Sequence, residues 1–241
     1  MAKWQNKAVL FIVCMTVLPG AMAQEMTLEQ VLAGYYRAGN FEKLAGVKTV
    51  IMTGTIVQQD LMPVKIVRMR PDKYLMEYDV ADMTAYMGYD GHIAWMTAPW
   101  TGNAAPQAAP AERSADLKIR ADMDGVLVDA TKKGHALELA GTDTLDGVIL
   151  HKIKVTRQDG SVEYECLDPS SFLIVKRIFY RQMRGQEVQV ENYYQDYREV
   201  EGIPFAFTVE TRYPNFSTEM QFDSVVLDRE VDVKIFEMPK R

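Results

Sequence analysis

The side chains with the widest chemical repertoire in this sequence are three histidines, His92, His135 and His151, and two cysteines, Cys14 and Cys166. A zinc site would need the histidines to converge with a fourth ligand. Each histidine is isolated in a different strand-like run, and neither HxH nor HExxH spacing occurs. We therefore expect structural or surface histidines, and we predict no metal site and no cofactor.

Cys166 is the candidate nucleophile, but activation of a thiol needs a nearby base or a helix N-terminus. It lies in an alternating run, on the same face as Val162 and Tyr164, which indicates a half-buried strand thiol. The acidic pair Glu163 and Glu165 is interpreted as a solvated strand face. No GxSxG, Walker or GxGxxG motif occurs, so we predict no catalytic residue and a protein that is not an enzyme.

Methionine and aromatic residues are concentrated between Met26 and Trp100. Methionine is flexible and polarizable, so surfaces rich in it adapt to variable apolar ligands. The same residues could equally fill a packed core, and the sequence leaves both interpretations open. The candidate cavity residues are Met52, Ile56, Met62, Ile66, Met76, Tyr78, Met87 and Trp95.

The N-terminus has the three parts of a secretory signal peptide: Lys3 and Lys7, the apolar run 8–18, and a small-residue site ending at Ala23. The run is too short to span a bilayer, which needs roughly 20 apolar residues. A lipoprotein signal with acylated Cys14 is disfavoured because Cys14 lies inside the apolar run. We expect cleavage after Ala23 and export to the periplasm of a Gram-negative envelope.

The remainder, residues 24–241, is predicted to be a single, monomeric domain with no transmembrane segment. The chain carries a formal net charge of −6. A negative net charge argues against nucleic acid or an anionic lipid surface as partner. It does not exclude an apolar ligand bound in the interior of the protein. Cys166 would be the only thiol after cleavage, so no intramolecular disulfide is expected.

Periodicity predicts a mainly β protein with a few helices. Thr27 to Gln30 has capping-box form and opens a helix that ends near Gly39, followed by a short segment to Gly46. The period then changes to two, and Asp-Gly turns separate the runs, which favours an antiparallel meander of about ten strands. The twelve candidate runs are 47–59, 61–70, 72–80, 83–90, 92–97, 135–141, 147–156, 161–168, 172–181, 186–198, 203–213 and 217–228.

One segment, residues 98–125, interrupts the meander. It opens with Ala, Pro and Gly, and then offers a short helix within 112–123, in which i,i+4 apolar pairs recur. A long insertion in a compact domain is usually functional or mobile. We predict a lid, whose apolar residues are Trp100, Leu117, Ile119 and Met123.

The run Tyr89-Asp-Gly-His-Ile-Ala-Trp-Met-Thr-Ala-Pro99, the run Gly160-Ser-Val-Glu-Tyr164 and the run Tyr197-Arg-Glu-Val-Glu-Gly-Ile-Pro-Phe205 occur in this order. In this they resemble the LolA-like periplasmic proteins that sort outer-membrane lipoproteins. The resemblance implies an open antiparallel half-barrel with a helical lid. It also implies a buried arginine that latches the lid, and Arg68 and Arg70 both remain candidates.

The same resemblance implies a periplasmic carrier that binds the acyl chains of lipoproteins, or another lipid, in an apolar cavity. Such a carrier receives its cargo from an inner-membrane exporter and delivers it to an outer-membrane acceptor. Two alternatives stay open. One is an envelope docking or signalling protein that uses the fold without a lipid, because fold alone does not fix function. The other is a secreted hydrolase.

Overall fold

The computed structural model describes Met1, residues 26–183 and residues 185–240. Apart from Met1, the predicted signal peptide lies outside these residues, and so does Cys14. No helix in the described ranges combines the length and the apolar character needed to cross a membrane.

In the described part of the chain, thirteen antiparallel strands form one sheet, in the spatial order β6-β5-β4-β3-β2-β1-β13-β12-β11-β10-β9-β8-β7. The chain thus makes two meanders that join where β1 pairs with β13, and β6 and β7 form the two edges. The strands are β1 (Thr49–Val57), β2 (Leu61–Met69), β3 (Lys73–Val80), β4 (Met83–Tyr89), β5 (Ala94–Ala98), β6 (Asn103–Ala108), β7 (Ala136–Leu145), β8 (Val148–Thr156), β9 (Val162–Leu167), β10 (Ile174–Met183), β11 (Gln186–Val200), β12 (Ile203–Arg212) and β13 (Ser217–Leu227).

Within the described residues, three α-helices accompany the sheet: α1 (Leu28–Ala38), α2 (Phe41–Gly46) and α3 (Ala111–Ala121). The predicted capping box is present, because the Thr27 hydroxyl accepts from the Gln30 amide and the Gln30 side chain accepts from the Thr27 amide. Short 3₁₀ helices lie at Pro99–Thr101 and Val233–Phe236.

Each of the twelve predicted runs corresponds to a strand, but the estimate of about ten strands was too low, and β6 was missed. This strand lies at the edge of the sheet, and its residues are exposed or half-buried. An exposed edge strand does not need the apolar alternation that reveals a half-buried one, and it tolerates the proline at its centre. Pro106 therefore looked like part of a loop.

The two faces of the sheet are covered differently. The inner face, defined here as the face that carries the three α-helices, packs α1 against β8 and β9 through Val31, Tyr35, Ile153 and Val155. At the other end of the same face, α2 and α3 bury Leu44 and Leu117 against β1 to β4, β12 and β13. On the outer face, Phe236 of the C-terminal 3₁₀ helix covers part of β2, β3 and β5.

The sheet is open, since within the described residues its edge strands β6 and β7 pair with one neighbour each. A mainly antiparallel sheet with a few helices on one face is the predicted fold class, an open half-barrel, and this prediction is confirmed.

Candidate functional site

A cavity of about 360 Å³ lies between the inner face of the sheet and the helices. Ligand pockets usually measure about 300 to 1,000 Å³, are mainly apolar and carry a few well-placed polar groups. Part of the cavity lining, contributed by both the sheet and the helices, is an apolar wall. It is lined by Phe41, Leu44, Val50, Met52, Ile66, Ile119, Met123, Ile203, Phe205, Val209, Met220 and Phe222.

Two of the eight predicted cavity residues, Met52 on β1 and Ile66 on β2, line this apolar wall. They are register partners, so their side chains lie on the same face of adjacent strands. Two of the four predicted lid residues, Ile119 of α3 and Met123 just after it, face them from the helical side. The structure thus brings residues from two distant parts of the sequence to one cavity.

The other inner-face candidates do not line the cavity and lie in a packed core beneath α3, to which Met52, Ile66 and Met123 also contribute. Ile56, Met76 and Tyr78 are buried in the same cluster as Leu117, and the half-buried Met62 and Met87 pack at its margin. Trp100 of the predicted lid is exposed, and its ring lies 6.2 Å from that of Tyr78. Ligand contact by these residues remains a prediction.

Trp95 is on the outer face, so the expectation that it shares a surface with the other candidates is wrong. Its ring packs with Val67 and Leu75, and its Nε1 donates a hydrogen bond to the Phe236 carbonyl at 2.7 Å. The turn between β4 and β5 decides this orientation. Met96, rather than Trp95, pairs with Met87, and a shift of one residue reverses the face of every side chain.

The charged part of the cavity lining is an arginine wall, defined as Arg68, Arg120, Arg157, Arg177 and Arg181. These residues come from β2, α3, the turn after β8, and β10. Asp116, Glu165, Asn192, Tyr194 and Tyr197 lie among them. A strongly charged interior was not predicted from the sequence.

Asp116 of α3 organises one part of the arginine wall. Its carboxylate lies 2.9 Å from Arg120 Nε and 3.7 Å from Arg113 Nη1, and it also binds Arg181 of β10. Burial by itself would raise the pKa of Asp116, but the charges of Arg120 and Arg181 outweigh it and lower the pKa. Three arginines therefore share one ionised carboxylate, which leaves an excess of positive charge.

Glu163 and Glu165 are buried on the inner face, so their interpretation as a solvated face is wrong. Glu163 accepts from Arg157 Nη2 at 2.6 Å and is also bound by Arg177, whereas Arg177 Nε lies 3.5 Å from Glu165. Burial raises the pKa of Glu165 to about 8. The strand pattern was ambiguous because alternating glutamates are compatible both with a solvent-exposed face and with a buried face on which they form salt bridges.

Arg68 is the member of the arginine wall that forms no salt bridge within the described part of the chain. Its Nε is buried without a hydrogen-bond partner, and so are the Tyr74 hydroxyl and Asn192 Oδ1. Arg68 and Tyr74 are register partners on β2 and β3. Buried polar atoms of this kind are usually satisfied by protein, water or a ligand.

Arg70, the second latch candidate, makes different contacts. Its guanidinium donates two hydrogen bonds of 2.6 Å to Asp124, just after α3, and further bonds to the carbonyls of Leu44 and Val47. It therefore ties the C-terminal end of the 98–125 segment to α2. The hydrogen bonds from Arg70 are the main cause of the lowered pKa of Asp124.

The residues that first suggested chemistry are dispersed. His92 is exposed in a turn, His135 precedes β7, and His151 stacks on Phe172 with ring centroids 6.0 Å apart. Within residues 26–183 and 185–240, no group of three or more His, Cys, Asp or Glu side chains is placed to hold a metal ion. Cys166 is fully rather than half buried, and burial raises the pKa of its thiol to about 12.

Two solved structures show the same architecture. One is a DUF1329 family protein from Desulfovibrio piger, with a TM-score of 0.61 and 14% identity, covering 86% of this chain and 97% of that one. The other is a LolA superfamily protein from Nitrosomonas europaea, with a TM-score of 0.60 and 13% identity, covering 88% of this chain and 98% of that one. No protein-family model matches the chain, and no curated protein matches it in sequence. The chain has the LolA-like fold.

Proposed function

We propose that this protein is a carrier that binds the acyl chain of a lipoprotein, or of another lipid, in the cavity between the sheet and α3. The observation that supports this function best is the apolar wall, where Met52 and Ile66 of the sheet and Ile119 and Met123 of the helical side line the same cavity. Burying an acyl chain there would contribute about 0.8 kcal/mol for each methylene removed from water.

A carrier must also release its cargo, and the 98–125 segment is suited to that task. Helix α3 covers the cavity and is anchored beyond its C-terminus by the hydrogen bonds from Arg70 to Asp124. This anchor is partly exposed, so it can break without unfolding the sheet. We propose that the segment, with Trp100 at its outer end, opens and closes as a lid.

The wider setting belongs to the same proposal. The predicted signal peptide supports export to the periplasm, and there the protein would move as a monomer between an inner-membrane exporter and an outer-membrane acceptor. Catalysis has no place in this proposal. The buried Cys166 thiol is poorly suited to be a nucleophile because its pKa is raised far above neutrality.

Displacement of a fluorescent fatty acid tests the cavity directly. Ile66→Asp would place an unpaired carboxylate against hydrocarbon at a cost of several kcal/mol, so acyl binding should be lost. Leu61→Asp is the matched control, since it makes the same kind of change on the same strand at a residue that is 72% exposed. Ile119→Asp, at a half-buried position, is a second test if Ile66→Asp destabilises the sheet.

Urea unfolding of each variant separates loss of binding from loss of folding. Native mass spectrometry of protein purified from its own cell envelope would identify the cargo. If the folded Ile66→Asp and Ile119→Asp proteins bind the probe as the wild type does, the cavity is not the site. The docking-protein hypothesis would then take its place.

A further inference from the structure

We propose that the ligand of this cavity is an anionic amphiphile, whose carboxylate or phosphate group binds Arg68 while its alkyl chain lies along the apolar wall. This inference rests on the proposed function and adds the class of head group. It is carried by the position of Arg68 next to the apolar residues Ile66 and Val50, and by nearby buried polar atoms that have no partner among the described residues.

Arg68 is a partly buried cation with a fully buried Nε, and it has no counterion among the described residues. Its charge is influenced by Asp122, but that carboxylate forms a salt bridge of 2.5 Å with Lys133. Burial lowers the pKa of Arg68, which reflects the cost of keeping the charge away from water. An uncompensated buried charge is strongly unfavourable, so an anion that enters the cavity would be stabilised there.

Groups that could donate to the same anion lie near Arg68: Tyr194 and Arg120 line the cavity with it, whereas Tyr74 is fully buried outside the lining. The Tyr74 hydroxyl is buried on the neighbouring strand and has no hydrogen-bond partner among the described residues. Tyr194 of β11 and Arg120 of α3 are close enough to influence the charge of Arg68. A guanidinium and phenol hydroxyls together are suited to carboxylate or phosphate oxygens, because Arg can bind such groups in a bidentate manner.

The charge around this point is positive even though the chain as a whole is acidic. The formal net charge is −6, yet Arg120 and Arg181 share Asp116 with Arg113. Glu165, with its raised pKa, offsets little of the charge of Arg177 at neutral pH. The arginine wall would therefore attract an anion and repel a cationic head group.

The apolar wall begins directly beside Arg68. Ile66 lies two residues away on the same strand and face, a separation of roughly 7 Å. Val50, the register partner of Arg68 on β1, also lines the cavity. A molecule with an anionic group at one end and hydrocarbon next to it would satisfy both surfaces at once.

Probes of equal chain length test the head group. We would measure displacement of a neutral fluorescent probe by a C16 carboxylate, a C16 phosphate, the C16 alcohol and a C16 trimethylammonium, in the wild type and in Arg68→Met. The wild type should bind the two anions about 10-fold or more tighter than the alcohol. In Arg68→Met this preference should disappear, while affinity for the alcohol should change less than about 3-fold.

Two further variants serve as references. Arg37→Met makes the same substitution at an exposed position on α1 and should keep the full preference, which excludes an effect of net charge. Arg68→Lys should retain part of the preference, because it keeps the charge and loses the bidentate geometry. Inorganic phosphate alone should compete only weakly, since it lacks the chain.

The outcomes separate the two proposals. If wild type binds the alcohol as tightly as the carboxylate, or if Arg68→Met keeps the preference, the anionic head group is refuted while the acyl carrier stands. If inorganic phosphate competes as well as the C16 phosphate, the site binds a free anion and the amphiphile is refuted. If none of the C16 probes binds, the carrier function itself fails.

Discussion

Two neighbouring regions of the interior differ in how they are filled. Beneath α3, the packed core around Met76, Tyr78 and Leu117 is buried and closely packed. Beside it, Ile119 of the same helix faces a cavity that ends at the arginine wall. Both regions lie on the same face of the same sheet, and both contain residues that the sequence grouped together as one candidate cavity.

The difference shows that apolar composition does not distinguish a core from a binding site. A packed residue has fixed partners and loses contacts when it is shortened, whereas a cavity-facing residue has free space on one side. Mutations should therefore affect stability in the first region and ligand binding in the second.

The largest expected loss of stability comes from a substitution in the arginine wall. Glu163→Gln removes the carboxylate that binds Arg157 and Arg177, so Arg157 loses its salt-bridge partner and Arg177 keeps only the 3.5 Å contact with Glu165. Removing one partner of a buried ion pair typically costs about 3 to 5 kcal/mol. Urea unfolding at pH 7 measures this loss. A loss below about 1 kcal/mol would show that the arginine wall does not need its internal counterion.

Glu165→Gln provides the contrast on the same strand. Because burial raises the pKa of Glu165 to about 8, its folded form is already largely neutral at pH 6, and the substitution should change stability little there. In the wild type, the unfolded state loses this proton near pH 4.5 and the folded state keeps it until about pH 8. The contribution of this group to stability should therefore decline as pH rises through that window, by at most about 1.4 kcal/mol per pH unit.

Comparing wild type and Glu165→Gln across pH 4.5 to 8 isolates this contribution. The difference in unfolding free energy should shift in favour of the variant as pH rises. A pH-independent difference would contradict a protonated Glu165 in the folded protein.

Two substitutions on α3 compare the packed core with the cavity. Leu117→Ala should cost about 2 to 5 kcal/mol, since the side chain is 1% exposed and fully packed. Ile119→Ala should cost less, about 1 kcal/mol, because it faces the cavity. It should nevertheless weaken acyl binding. Equal losses of stability would mean that the cavity is filled like the core.

Weakening the anchor of the lid should have a smaller effect on stability. Asp124→Asn weakens the pair with Arg70 and should lower stability by about 1 to 2 kcal/mol. Hydrogen exchange should increase in residues 111–121 more than in β1 and β2. Asp129→Asn, which alters an exposed pair with Lys132, is the control and should leave exchange unchanged.

The smallest effects are expected from metal and thiol reagents. EDTA should leave the thermal midpoint unchanged, because we predict no metal site. Iodoacetamide should not label native Cys166, whose buried thiol has a raised pKa. A large decrease of the midpoint with EDTA, or rapid labelling of the native protein, would contradict these predictions.

Local sequence determined much of the fold. The period of two located twelve of the thirteen strands, and the capping box located the start of α1, because these signals depend on neighbouring residues alone. The edge strand β6 escaped because an exposed edge places few demands on residue type. Trp95 was assigned to the wrong face because the alternation of side chains along β4 does not predict which residues of β5 lie on the same face after the turn.

Tertiary structure alone decided what the interior holds. Glu163 looks like a surface residue until β10 places Arg177 against it. Arg68 looks like one until the fold buries its Nε without a partner among the described residues. Met52 and Met76 are equivalent in the sequence pattern and belong to one buried cluster, yet Met52 also lines the cavity whereas Met76 does not. The sequence specifies which residues are apolar or charged. Where space remains between them depends on how distant strands and helices pack, since a cavity is a property of volumes that meet in three dimensions.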